Sequence, residues 1–434
     1  MGLPVGCSGR QARIFALASK RYRRSRATYP CSQKEPRHMP NLMSGFPPAP
    51  DRQVTLANWR KNPFSRWAFR NVRQLLPTAP IKPGTASPPL REDLRDIEII
   101  SFEGLDGRET TVRDARLASF TDGMLVLRGG RIVSEWYHNG LDAETSHICF
   151  SVSKSILGTL AGVLTEREII DPDALVIDYL PEMKGSAYET AKVRHLLDMT
   201  VSTSYHEEFN NPSQDLLRYR AATGWDPQQQ GMPSPDLRKF LPTIPLGSDP
   251  HGAKVNYVTP NTDTLGWLFE RASGRPYAQL VSEFVWAPMG AEAEANMTLD
   301  PFGMARPGGG ISATLRDLAR FGEMMRRRGF ANGRQVVPGW WVDDIRRNGS
   351  VEAWKQGCMT DAFPVAQYRS KWYNLGAPGS AIFFGVGIHG QWIYIDERAE
   401  TVIARFSSQP DPMDLPLDHM WLRGYDAIAR RFSS

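Results

Sequence analysis

Ser151 and Lys154, in the run Phe150-Ser151-Val152-Ser153-Lys154-Ser155, are the residues best placed by type and spacing to do chemistry, and they form the only Ser-x-x-Lys of the chain. Residues three apart on a helix share a face, so the hydroxyl and the amine can meet. The apolar run over 156–164 that follows predicts a buried helix. Burial removes water from the amine, lowers its affinity for a proton and lets it take one from the serine. A helix starting here would also turn its unpaired N–H groups and positive dipole end toward charge developing at Ser151. The tetrad by itself equally suits an ordinary helix start with a solvated lysine, so further pieces have to decide.

Two such pieces follow. Asn256-Tyr257-Val258-Thr259-Pro260-Asn261-Thr262-Asp263 is a polar turn leading into an amphipathic helix, with Asn261 or Thr262 expected as its cap. A tyrosine on such a turn can point its phenol into a cleft. If a neighbouring ammonium lowers its pKa, it can pass protons to and from a serine. The alternative is a core aromatic with a satisfied hydroxyl. Nearer the C-terminus, residues 383–396 and 401–406 read as two strands joined by the polar turn 397–400. Gly385, Gly387 and Gly390 suit a strand whose backbone closely approaches a ligand and could offer an N–H to an oxyanion.

In this order, the three pieces resemble the serine β-lactamase and penicillin-recognising superfamily, class C-like branch. Within it the chain is most similar to the 6-aminohexanoate-dimer (nylon-oligomer) hydrolases and their esterase relatives. The resembling stretches are 150–155, 257–267, 308–322, 387–390 and 404–410, and the resemblance spans about residues 43–434. It implies that Ser151 is the acylated nucleophile, Lys154 its base and Tyr257 the proton shuttle, with the backbone N–H groups of Ser151 and Ile388 as the oxyanion hole. Phe209, Thr259, Gly387 and His389 are the implied substrate-binding positions. Three departures bear on substrate. Thr259 stands where many β-lactamases and peptidases of this branch carry asparagine. Gly387-Ile388-His389-Gly390 stands where they carry Lys-Thr-Gly or His-x-Gly. Phe209 stands where the nylon-hydrolase group is expected to have a tyrosine contacting the substrate amide, so ester cleavage is expected to suffer less than amide cleavage.

The implied fold is α/β, of the α+β type. An antiparallel sheet is built from both chain ends and flanked by helices, with an inserted, mainly helical lobe and the active site at the seam. The expected division is a lobe of residues 43–150 plus 305–434, carrying the sheet, and a helical lobe of 151–304. Strands at 123–128 and 131–137 flank Gly129-Gly130, a strong hairpin signal. Helices are expected over 193–199, 317–325 and 417–431, and residues 212–235 as a loop-rich cover over the cleft.

At 434 residues the chain is too long for one small core. Residues 1–42 carry nine lysines and arginines against one acid, Glu35, which leaves residues 43–434 slightly acidic. The body is therefore not a nucleic-acid binder on charge grounds. The leader is expected to be disordered or peripheral, and its apolar core at 14–18 is too short for a secretory signal. Met43 resembles the family's natural start. No run of eighteen apolar residues suggests a membrane helix. Four cysteines, two of them in the leader, make no disulfide framework, so a reducing cytoplasm is the expected location. The histidines lack metal-ligand spacing and no phosphate-binding glycine motif occurs, so no metal and no cofactor is expected. The expected partner is a small amide or ester; a homodimer stays open, and nucleic acid and membrane are not expected. The function these readings point to is a serine hydrolase working through an acyl-enzyme on small linear amides or esters. Alternatives are a class C-like β-lactamase or D-alanyl-D-alanine carboxypeptidase, and a catalytically silent binding module on the same fold.

Overall fold

The Ser-x-x-Lys segment opens a helix, α1 (Val152–Glu166), buried at every residue from Val152 to Leu164. A helix apolar on all sides belongs at the centre of a core. Two glycines let neighbours press against it. A Cβ on Gly158 would lie 1.9 Å from the Ser370 carbonyl oxygen, and one on Gly162 would lie 2.3 Å from the Trp341 ring. The computed structural model describes residues 41–228, 236–363 and 366–432. The leader through residue 40 and the stretch 229–235 of the expected cleft cover lie outside the described residues. Leu42 is buried with Val54, Trp59 and Phe69 in a small apolar cluster, so the arm packs from its first residues onward.

An eight-stranded sheet forms the larger framework. Its strands are β1 (Arg91–Glu92), β2 (Thr121–Arg128), β3 (Arg131–Tyr137), β4 (Ala366–Arg369), β5 (Trp372–Leu375), β6 (Ile382–Gly387), β7 (Gln391–Asp396) and β8 (Thr401–Ser407). Their spatial order is β4-β5-β6-β7-β8-β2-β3-β1. The two chain ends meet where β8 pairs antiparallel with β2, Ile403 opposite Val126. All pairs are antiparallel except the short edge strand β1, which runs parallel to β3. The β2–β3 hairpin turns at Gly129 and Gly130, with φ of 53° and 77° as a tight two-residue turn requires.

Period-two alternation explains why the sheet is buried on both faces. Ile393, Ile395, Val402 and Ala404 belong to one apolar cluster, and Trp392, Tyr394 and Ile403 to another. Helix α3 (Leu315–Arg326) lies on the first face; Gly322 is where it comes closest, since a Cβ there would stand 2.6 Å from Ile393 and Val402. Helix α4 (Leu415–Arg431) covers the second, packing the Tyr425 ring edge-on to Trp392 and tilted against Tyr394. The remaining long helix, α2 (Pro260–Ser273), belongs to the mainly helical part beside α1.

Three sequence expectations are corrected. The segment expected as a loop-rich cover carries a helix, Gln214–Ala222, capped by the Ser213 side chain. Residues 383–396 are not one strand but two, because His389 (φ 60°) and Gly390 (φ 82°) make a tight turn between β6 and β7. The cap of α2 is Thr259, not Asn261 or Thr262, and its side chain makes no capping bond. A second sheet, not foreseen, orders Thr78–Ile81, Ala295–Thr298, Ile311–Ala313 and His147–Ile148 side by side. Its strands are two to four residues long and mostly buried on both faces, so they carry no alternation to read. This sheet brings the chain just before Ser151 beside the chain just after Gly310, with the Cys149 N–H donating to the Ile311 carbonyl at 2.8 Å.

Candidate active site

Ser151 is the N-cap of α1, yet its side chain makes no capping bond. A serine there normally spends its oxygen on a backbone N–H of the first turn. Here Oγ lies 2.8 Å from Lys154 Nζ. Phe150 precedes it with a φ of 42°. That left-handed conformation costs a non-glycine residue roughly 1–3 kcal/mol and persists only when the surroundings enforce it. They do: the Phe150 ring is enclosed by Trp59, Phe69, Trp225 and His389.

Lys154 is 1% exposed. Its Nζ donates to the Gly308 carbonyl as well as facing Ser151. Burial pulls its pKa down to about 8; Glu207 and Asp263 oppose that shift, and the Arg306 guanidinium adds to it. An amine with that pKa is partly neutral near physiological pH and can act as a base. Lys154 would be inert while protonated, so kcat/KM should climb about tenfold per pH unit below pH 8 and level off above it. A stopped assay between pH 5.5 and 10 measures this; a flat profile, or a bend near 10.5, would mean that burial does not tune this lysine.

Tyr257 sits on the turn before α2, with Lys154 Nζ 5.2 Å from its ring centroid. Its phenol is within hydrogen-bonding reach of Ser151 and Tyr373. The expected lowering of its pKa is not found. Burial pushes it well up, only partly opposed by Ser151 and Tyr373, so the phenol keeps its proton. Desolvation penalises the phenolate, and the nearby Glu207 carboxylate adds to that penalty.

Glu207, which no local pattern in the sequence distinguished, clamps this turn. Its carboxylate accepts from the Thr259 N–H and the Thr259 hydroxyl, both at 2.8 Å, and from the Tyr205 hydroxyl at 3.3 Å. That explains why Thr259 cannot also cap α2. Burial raises the Glu207 pKa, while Lys154 and the Thr259 bonds lower it. The other residues missed are Asp263, Arg306, Tyr219 and Gly308. A faint signal was present: an acid at the start of the amphipathic segment 260–273, and three consecutive glycines at 308–310.

Gly387 ends β6 flush against the nucleophile's backbone; a Cβ there would lie 2.9 Å from the Ser151 nitrogen and 2.7 Å from the Cys149 oxygen. Ile388 follows immediately. The turn carrying it is fastened from several sides. The His389 N–H donates to the Pro412 carbonyl at 2.9 Å and His389 Nδ1 pairs with the Gln409 carbonyl at 2.8 Å. The Gly390 carbonyl accepts from Arg405 Nη1 at 3.1 Å. This gives the 404–410 stretch a physical role. The His389 ring is buried against Phe69 and Phe150, and burial pulls its pKa down to about 4, so it is neutral.

Phe209 is half-buried and packs on the main core cluster two residues beyond Glu207. Among the described residues no ring contact joins it to Tyr257. Its neighbour Asn210 bridges to the 408–414 segment, donating to the Met413 carbonyl at 2.9 Å. Ser151, Lys154, Tyr257, Thr259 and Gly387 are thus brought together; His389 lies behind the turn and Phe209 at the side.

The β-lactamase family model matches residues 114–425. A 6-aminohexanoate-dimer hydrolase of Paenarthrobacter ureafaciens is 35% identical over 370 residues, covering 85% of this chain and 91% of that protein. A solved Bacillus anthracis structure, provisionally named a 6-aminohexanoate-dimer hydrolase, superposes with a TM-score of 0.80 at 25% identity, covering 88% of this chain and 98% of that one. A family VIII carboxylesterase shares the fold, with a TM-score of 0.53 at 16% identity over 73% of this chain and 96% of its own. On the family match and the Paenarthrobacter relative together, this chain belongs to the β-lactamase family, in the company of the 6-aminohexanoate-dimer hydrolases, and is a serine hydrolase acting on amides or esters.

Proposed function

We propose that the chain cleaves small linear amides and esters through an acyl-enzyme on Ser151. The observation carrying this reading is the 2.8 Å approach of a buried Lys154 amine to a Ser151 hydroxyl that is not spent on capping. Neutral Lys154 takes the Ser151 proton as Oγ adds to the substrate carbonyl. The oxyanion is received by the N–H groups of Ser151 and Ile388, fixed donors at a helix start and beside a braced turn. Tyr257, which keeps its proton at rest, delivers it to the departing nitrogen or oxygen and is reprotonated from the Lys154 ammonium. Water then attacks the acyl carbonyl, giving up its proton to the same pair, and Ser151 leaves with a proton returned.

Thr259 disfavours the β-lactamase alternative. Both its N–H and its hydroxyl are bound to Glu207, so neither is free to grip a lactam amide as an asparagine would. In this reading Gly387 allows the backbone of β6 to meet the substrate, and His389 holds the turn. The free Cys149 and Cys358 suit a reducing cytoplasm.

Phe209 sets the preference between substrates. An ester leaves without protonation of a nitrogen, so a missing phenol at 209 penalises amides more. Short acyl esters are expected to be cleaved faster than matched amides. Phe209→Tyr should raise amide kcat/KM selectively, by a hydrogen bond contributing about 1–3 kcal/mol in the transition state. Measuring kcat/KM for a matched ester and amide in both proteins tests this; equal changes for the two substrates would remove Phe209 from the specificity account.

A further inference from the structure

A base must present a lone pair to its acid, and a neutral amine has one lone pair and two N–H groups. Lys154 gives one N–H to the Gly308 carbonyl, at 2.5 Å. That carbonyl therefore controls which way the remaining lone pair of Nζ points. Gly308 is itself held by its N–H, which donates to Asp263 Oδ1 at 2.8 Å. Asp263 is fully buried on α2. Its other oxygen accepts from the Tyr219 hydroxyl, and Arg306 Nε stands 3.9 Å from that oxygen. Arg306 Nη2 donates to the Tyr219 hydroxyl at 3.1 Å, and its guanidinium lies 3.7 Å above the Trp225 ring. Burial favours the neutral acid at Asp263, and Arg306, the Tyr219 hydroxyl, the Gly308 N–H and Lys154 all favour the carboxylate. Space is as restricted as bonding: a Cβ on Gly308 would stand 2.8 Å from Asp263 Oδ1 and 2.4 Å from Thr259 Cγ2.

We propose that Asp263 is a positioning residue for the general base, aiming Lys154 at Ser151 through the Gly308 backbone while supplying a fixed negative charge beneath it. This rests on the reading of Lys154 as the base. The other ionisable groups facing Lys154 are Glu207, Arg306, Tyr257 and the buried Lys371, whose amine is held by the Leu196 carbonyl. Among the described residues, only Asp263 combines charge with a side-chain hydrogen bond to the peptide that Lys154 binds.

Charge and aim can be separated by two variants. Asp263→Asn keeps an oxygen for the Gly308 N–H and loses the charge. Asp263 favours the protonated form of Lys154, so its neutralisation should move the acid limb of kcat/KM to lower pH by about half a unit or more. The Asn variant should therefore lose less activity at pH 6 than at pH 9, with kcat within about tenfold of the parent. Asp263→Ala removes both functions; kcat should fall about a hundredfold with KM little changed, and Asn should rescue most of that loss. Thermal melts establish folding. A folded Ala variant with parental kcat, or an Asn variant whose acid limb does not move, overturns the proposal; should the Ala variant not fold, the Asn limb alone decides. Lys154→Ala run in parallel separates the two levels. An active Lys154→Ala defeats the base assignment itself, whereas an inactive one beside an unmoved Asn limb defeats only the role of Asp263.

Discussion

Ser151→Ala is expected to abolish turnover, lowering kcat roughly 10⁴-fold or more, while leaving the fold intact. The size follows from what is lost. Without Oγ no acyl-enzyme can form, and only binding and the backbone donors remain to assist direct attack by water. The indifference of the fold follows from local structure. A capping serine replaced by alanine costs about 1 kcal/mol, but the Ser151 side chain makes no capping bond, so that cost should be absent. Steady-state kinetics on an activated ester and a thermal melt are the measurements. Retained turnover would remove Ser151 as nucleophile; a large loss of melting temperature would mean that its hydroxyl is structural.

Lys154→Ala and Tyr257→Phe should each lower kcat by about 10²–10⁴-fold, and the double variant should be little worse than the poorer single one. Lys154 Nζ faces both Ser151 Oγ and the Tyr257 ring, and the Tyr257 phenol reaches the same serine. The proton therefore travels one route through both residues, and breaking the route twice adds little. Multiplication of the two single effects would show independent roles. The pH profile of each single variant adds a check. Tyr257→Phe should keep the bend near pH 8, because that bend belongs to Lys154 and its burial. Lys154→Ala should lose it.

Local spacing carried the nucleophile and the base into view. Ser151 and Lys154 are neighbours on one helical turn, and the apolar run behind them announces the burial that tunes the amine. The β2–β3 hairpin was equally legible from Gly129-Gly130, and α3 and α4 from their apolar periodicity. What the chain assembles over long distances was not. Glu207 meets Thr259 across 52 residues, and Asp263 meets Gly308 across 45, and neither contact leaves a periodic trace. The Tyr257 pKa was misjudged for a related reason. Sequence suggested the neighbouring charge but not the burial that outweighs it. The turn at His389 was read as strand because its flanks are strongly β-forming; the break comes from left-handed conformations at His389 and Gly390, held by partners as distant as Arg405 and Gln409. The substrate-side residues were placed by resemblance alone, and the structure distinguishes among them. Gly387 lies against the Ser151 amide, Thr259 is occupied by Glu207, and His389 is buried behind the turn.

The most direct test of the acyl-enzyme is intact-protein mass spectrometry of the enzyme quenched during turnover of a p-nitrophenyl ester, followed by peptide mapping. The mechanism predicts a single added acyl group, located on Ser151, appearing with the burst of p-nitrophenol and absent from Ser151→Ala. Turnover with a burst but with the acyl group on another residue, or an adduct that survives in Ser151→Ala, would contradict it.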